Sequence, residues 1–128
     1  MTQLHEVAPG LLVATSRTDS LNSVVVVGRD GGVLLVDPGW HQDELDDLGA
    51  DLSARSLLPV AGLATHAHHD HVLWHPDFGD VPRWASPDTV RIAGSHREAI
   101  LEALGGGYRP GVLDLVGQVS ALPGLDIP

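Results

Sequence analysis

Apolar residues in the first third of the chain fall in short runs rich in Val and Leu, separated by polar turn formers. The runs at 10–15 and 23–27 are predicted strands, since β-branched residues between turns suit a pleated backbone. Arg29, Asp30, Gly31 and Gly32 read as a turn, and Val33 to Val36 as a third strand. Four consecutive valines, Val24 to Val27, predict a strand covered on both faces. That pattern favours a sheet inside a layered α/β domain over a half-exposed meander.

Asp37-Pro38-Gly39 ends the third strand abruptly, because Pro has no amide donor and Gly permits a sharp reversal. A helix is predicted over 43–54, with Leu45, Leu48 and Leu52 on one face and acids at its N-terminal end, where the helix dipole favours them. Pro59 breaks the chain, and 60–64 is a short apolar strand leading into a histidine cluster. Beyond the cluster, a strand is predicted over 81–85, then one helix from Pro87 to Leu104, stopped by Gly105-Gly106-Gly107, and a further short helix over 112–119. The glycine run has no strand before it and no Lys after it, so it does not read as a phosphate loop.

The 128 residues suffice for one domain with a real core, taken here as 1–128. Acidic residues number 17 against 7 basic, all of them Arg, for a net charge of −10. That field repels phosphate backbones and anionic lipid, so neither nucleic acid nor membrane is an expected partner. No apolar run approaches the ~20 residues of a membrane span, and the N-terminus has no basic start, so the expected location is the cytoplasm. With no cysteine, thiolate sites and disulfides are excluded, and any transition metal must be held by His and carboxylate.

Thr65-His66-Ala67-His68-His69-Asp70-His71 supplies such a set. His66 and His68 alternate just past a strand, so in an extended segment their imidazoles point to one side and can grip one ion. Asp70 and His71 follow where the chain turns, and can add an oxygen and a nitrogen. These donors suit Zn²⁺ first, with Fe or Mn next. A bound ion lowers the pKa of its water to about 7, giving a hydroxide nucleophile, and Asp70 can orient that water or carry its proton.

The stretch from Thr65 to His71 resembles the H-x-H-x-D-H motif of the metallo-β-lactamase superfamily, whose members are mostly metal-dependent hydrolases. The resemblance extends upstream through Asn22, the Gly31-Gly32 turn, Asp37-Pro38-Gly39, and the approach Gly62-Leu63-Ala64 to the histidines, and covers about Val7 to Ala85. It implies an α/β fold like the N-terminal half of the αββα sandwich, a mixed sheet with flanking helices. It implies that His66 and His68 bind a first metal and Asp70 and His71 a second, and that Asp37 buttresses the histidine loop by hydrogen bonding. The family's distal ligands, a further His, a bridging Asp and a final His, are not identifiable. His75 and His96 lack a strand-and-glycine context, His96 reads as the exposed face of a helix, and nothing around Asp114 supports it as a bridging acid. His5 and His41 read as surface residues, with His41 placed to line a pocket mouth, and Trp40, Trp74 and Trp84 as core or pocket wall.

The expected activity is hydrolysis of a small-molecule ester, thioester, lactone or amide by metal-bound hydroxide. The alternative is a metal-binding fragment or interaction module that catalyses little because the distal ligands are lacking. Half of a two-sheet sandwich leaves a sheet face uncovered, which invites self-association.

Overall fold

In the computed structural model, which describes residues 3–68 and 71–122, the apolar runs form one mixed seven-stranded sheet. Its strands lie in chain order: β1 (His5–Ala8), β2 (Leu11–Thr15), β3 (Asn22–Val27), β4 (Val33–Val36), β5 (Ala61–Leu63), β6 (Arg83–Ala85) and β7 (Ser120–Ala121). The first four are antiparallel neighbours joined by tight turns, and β4 through β7 are parallel. Parallel neighbours need crossovers. These are supplied by α1 (Gln42–Ala54) between β4 and β5, by a loop with one 3₁₀ turn (Pro76–Phe78) before β6, and by α2 (Pro87–Ser95), α3 (Arg97–Leu104) and α4 (Pro110–Leu113) before β7.

Alternation along the strands divides the sheet into two unlike faces. Leu12, Ala14, Val25, Val33, Leu35 and Ala85 point to one side and join Leu45, Leu48 and Leu52 of α1, Ala93 of α2 and Ile100 of α3 in a single core. Residues of the opposite face stand in two cross-strand rows, Val13, Val24, Val36, Leu63 and Trp84 in one, and Leu11, Val26, Leu34 and Ala61 in the other. None of the nine belongs to the core or packs against it. They are partly exposed, and Val26 retains 37% of its accessible surface. The run of four valines predicted cover on both faces; among the described residues only the side of Val25 has it.

Three further differences have local causes. The strand β1 was not predicted, because its residues are all exposed and it pairs only along the sheet edge. The helix predicted from Pro87 to Leu104 breaks at His96, whose φ of −110° and ψ of 18° are not helical, so His96 sits at the joint of α2 and α3 instead of mid-helix. Where one helix was predicted over 112–119, there is only the single turn α4, then turns and the two-residue β7.

At Gly62 the sheet meets an aromatic wall. A Cβ there would lie 2.5 Å from Cζ3 of Trp74. The indole cannot swing aside easily, because its Nε1 donates to the carbonyl of Gly79 (3.0 Å), Phe78 meets it edge-on at 5.2 Å, and the Arg83 guanidinium sits 5.7 Å over the ring. Gly62→Ala is therefore expected to destabilise the fold by about 1–3 kcal/mol through overpacking. A urea midpoint equal to the parent's would show that the wall yields.

The C-terminal segment is fastened to α1 by charge. Arg109 pairs with Asp46, the Arg109 amide donates to Gln42 (2.9 Å), and buried His75 lies 2.7 Å from the same Asp46 carboxylate. The Arg109 hydrogen bond, aided by His75 and Gln42 against the opposing effect of burial, draws the Asp46 pKa from 3.8 down to about 2. A depressed carboxylate stabilises the fold fully above its unfolded value, and that contribution is lost as pH falls through the folded one. Solvent reaches the pair, limiting its worth to about 1 kcal/mol. Asp46→Asn should thus be less stable than the parent at pH 6, with the gap in thermal midpoint closing towards pH 2.

Candidate metal centre

The histidine loop begins where two parallel strands end side by side. Val36 of β4 pairs with Leu63 of β5, so the residues that follow, Asp37 and Ala64-Thr65, emerge together at the carboxyl edge of the sheet. The Asp37 amide donates to the Leu63 carbonyl (3.0 Å) and the Ala64 amide to Trp84 (2.9 Å), which carries both strands one step beyond their regular pairing. Crevices at this edge of parallel strands are where α/β folds place ligands.

Asp37 adopts φ 50°, in the left-handed region that Asp tolerates better than most side chains. From there its buried carboxylate reaches across the strand ends. Oδ1 accepts from the Thr65 amide (2.9 Å), Oδ2 accepts from the Thr65 hydroxyl (2.7 Å), and His71 Nδ1 lies 3.0 Å from Oδ2. Burial acts to raise the Asp37 pKa, but the hydrogen bonds from His71 and Thr65 outweigh it and hold the group below the usual carboxylate value. It is an anion at neutral pH.

This carboxylate fixes the histidine tautomers. A carboxylate can only accept, so His71 carries its proton on Nδ1 and its lone pair on Nε2. Thr65 commits its hydroxyl hydrogen to Asp37, so the 3.0 Å contact between Thr65 Oγ1 and His66 Nδ1 requires a proton on that nitrogen too. Both rings thereby present Nε2 as the donor atom for a ligand. His71 is buried, whereas His66 and His68 are exposed. Their three rings gather, with centroid separations of 3.6 Å for His66 and His71, 4.5 Å for His66 and His68, and 6.3 Å for His68 and His71. The His71 amide closes the loop onto the His68 carbonyl at 2.9 Å.

Asp70, named from the sequence as ligand and catalytic residue, and the neighbouring His69 lie outside the described residues. Among the described residues, no group of three or more His, Asp or Glu side chains is arranged to hold one ion. The cavity touching His71, walled by Pro38, Leu73 and Trp74, encloses about 10 Å³. That is a packing gap with room for about one water, not a substrate cleft.

The other histidines have different places. The Asp77 amide donates to Nδ1 of His75 (2.9 Å), so its proton is on Nε2, directed at Asp46. Both nitrogens are engaged in holding the 3₁₀ turn to α1. His41 is half-buried at the mouth of a cleft shared with Arg17 and Tyr108, its Nε2 2.6 Å from the Thr18 hydroxyl. Asp114 is exposed at the end of α4, and Trp74 is core.

Two polar residues carry more than the sequence suggested. Thr65 was only the first letter of the motif, yet it links Asp37 to the His66 ring. Glu44, one of the acids placed at the start of α1 for its dipole, is fully buried, accepting from the Ser16 hydroxyl (2.6 Å) and the Arg17 amide (3.0 Å). Its signal was the spacing Glu44, Leu45, Leu48, Leu52, which sets it beside the apolar stripe.

Comparison with known proteins identifies the family of the fold. The model of the metallo-β-lactamase superfamily matches residues 17–123, and the chain belongs to that superfamily. No curated protein sequence gives a match. Among solved structures, the chain is similar to a metallo-β-lactamase from Erythrobacter litoralis with β-mercaptoethanol in its active site, at 21% identity and TM-score 0.57 over 73% of this chain and 45% of that one. It is also similar to FIM-1 from Pseudomonas aeruginosa in the mono-zinc form, at 17% identity and TM-score 0.55 over 74% and 46%. A metallo-β-lactamase from Pontibacter korlensis aligns at 17% identity and TM-score 0.56 over 74% and 48%. These likenesses establish a shared fold, and the chain spans about half the length of the structures it matches.

Replacing Asp37 by Asn retains a side chain that tolerates the left-handed backbone but removes the acceptor that fixes His71. Zinc affinity should fall about 10- to 100-fold, as for other losses of a group that orients a metal-binding histidine. Competition against a chromophoric chelator measures this; unchanged affinity would show that Asp37 serves the fold alone.

Proposed function

We propose that this chain is a metal-dependent hydrolase of the metallo-β-lactamase type, in which His66, His68, Asp70 and His71 hold one or two zinc ions. The observation carrying this reading is the clasp of Asp37 and Thr65 on the histidine loop, which sets two imidazoles in the tautomer that presents Nε2. Nitrogen and oxygen donors without thiolate suit zinc, with iron or manganese next. When bound, the ion supplies Lewis acidity and a water with a pKa near about 7. Asp37 holds the His71 ring in place, Thr65 relays that constraint to His66, and Asp70 orients the attacking water or carries its proton. The substrates are small molecules with an ester, thioester, lactone or amide bond, and the site of action is the cytoplasm.

A second reading is a metal-binding module with little catalysis, since a histidine loop held by Asp37 and Thr65 can bind an ion without turning over a substrate.

Elemental analysis after dialysis against zinc, combined with assays on esters, thioesters and lactones, separates the two. The hydrolase should retain at least one equivalent of zinc and turn over a substrate, and His66→Ala with His68→Ala should reduce both to background. Stoichiometric zinc without turnover selects the module. Retention of zinc by the double variant would refute the ligand assignment.

A further inference from the structure

We infer that His75 is a proton-operated latch: when neutral it caps the 3₁₀ turn, and when protonated it releases the Asp77 amide and takes the Asp77 carboxylate instead. The ring is 4% exposed, and both of its nitrogens are engaged. Nδ1 accepts from the Asp77 amide (2.9 Å), the side-chain cap of the turn Pro76–Phe78, while Nε2 donates to Asp46 Oδ1 (2.7 Å). Only the neutral imidazole with its proton on Nε2 can do both. A second proton, on Nδ1, sets two N–H groups against each other at the cap, and the amide must leave. Its replacement stands beside it. Asp77 Oδ2 lies 3.8 Å from Nδ1, beyond hydrogen-bond reach and facing a lone pair, on a side chain that is 71% exposed and can turn.

Among the described residues, three charged groups face the ring. They are Asp46 from α1, Asp77 from the turn itself, and Arg109 from the segment before α4, with a guanidinium nitrogen 3.3 Å from Nε2. Arg109 is itself held by both oxygens of Asp46. A doubly protonated ring thus finds a carboxylate for each of its N–H groups, Asp46 at Nε2 and Asp77 at Nδ1. Protons reach it without unfolding, because the ring borders an open cleft of about 370 Å³ with Pro76, Asp77, Arg109 and Pro110. Imidazole is also the side chain whose ordinary charge change falls between pH 5 and 8. The rest of the turn is held independently of the cap. The Phe78 amide donates to the His75 carbonyl (2.9 Å), the Gly79 amide to the Pro76 carbonyl (3.1 Å), and Trp74 Nε1 to Gly79. The exchange is therefore local. In the neutral state the turn is capped and the Asp77 carboxylate stands in the cleft; in the protonated state the first amide of the turn opens to solvent and the carboxylate is drawn onto the ring. The junction with α1 persists in both, and none of this rests on the metal reading.

Nitrogen-15 NMR of the assigned ring and backbone signals tests the latch between about pH 8 and about pH 5. The sample is the full 128-residue chain in EDTA, so that no ion binds the histidine loop. At the alkaline end Nδ1 of His75 should be unprotonated and the Asp77 amide protected from hydrogen exchange. On acidification Nδ1 should gain a proton, and the Asp77 amide should shift with the same midpoint and lose its protection. Asp77→Ala keeps the amide cap but removes the replacement acceptor, so its midpoint should move to lower pH. His75→Gln, whose amide takes no proton in this range, should show no transition at Asp77. Should that variant fail to fold by circular dichroism, Asp77→Ala, changed at an exposed side chain, carries the test. A ring that protonates while the Asp77 amide keeps its protection overturns the inference. So does an Nδ1 that stays unprotonated throughout, an Asp77→Ala midpoint at or above the parent's, or unfolding of the parent before any transition at His75.

Discussion

The carboxylate of Asp37 is the interaction on which the histidine loop depends. It closes the gap between the ends of two parallel strands, takes two hydrogen bonds from Thr65 and one from His71, and does so from a backbone conformation that few side chains accept. Such strain persists only where the surroundings over-determine it. Here they do: pairing of Val36 with Leu63 brings the two chain ends together, and the Asp37 amide is held by Leu63 itself. The sheet register sets the distance that one carboxylate must span, and that carboxylate sets the tautomers of two rings.

The rest of the fold supports that register. Gly62, in the middle of β5, leaves space for Trp74, whose ring is pinned by Gly79, Phe78 and Arg83. The chain leaving the histidines is thus anchored in the core within three residues of His71. Arg109, Asp46 and His75 tie the C-terminal segment to α1, while Glu44 joins α1 to the segment after β2. Asp37, Glu44 and His75, all buried, sit at junctions between elements, where each fixes a relative position that apolar packing alone leaves adjustable.

Superfamily membership and a half-length match place the chain in a particular position. It has the sheet of the superfamily fold, a histidine loop at the carboxyl edge to which Asp37 is hydrogen-bonded, and an apolar sheet face that the helices among the described residues do not reach. Loop and face are separate physical problems. Ligand donors can be ordered by local hydrogen bonds, whereas the face can be removed from water only by a second layer.

Much of this was legible in the residue pattern. Strand runs of alternating or continuous apolar residues, the Pro-Gly stop after Asp37, the leucine stripe of α1 and the histidine spacing each express a local rule, and a local rule needs only neighbours in sequence. The edge strand β1 was invisible because an exposed strand has no apolar alternation to show, and the break at His96 because helix-forming residues continue on both sides of it. By itself the sequence determined the α/β class, the order of the main elements and the chemistry available at Thr65 to His71. Only the tertiary structure decided that Thr65 joins Asp37 to the rings, that His75 holds the fold together, that Glu44 is buried, and that one face of the valine strand stands open. Each of these depends on which distant residues meet, and that is set by sheet register and crossover packing, quantities no local pattern encodes.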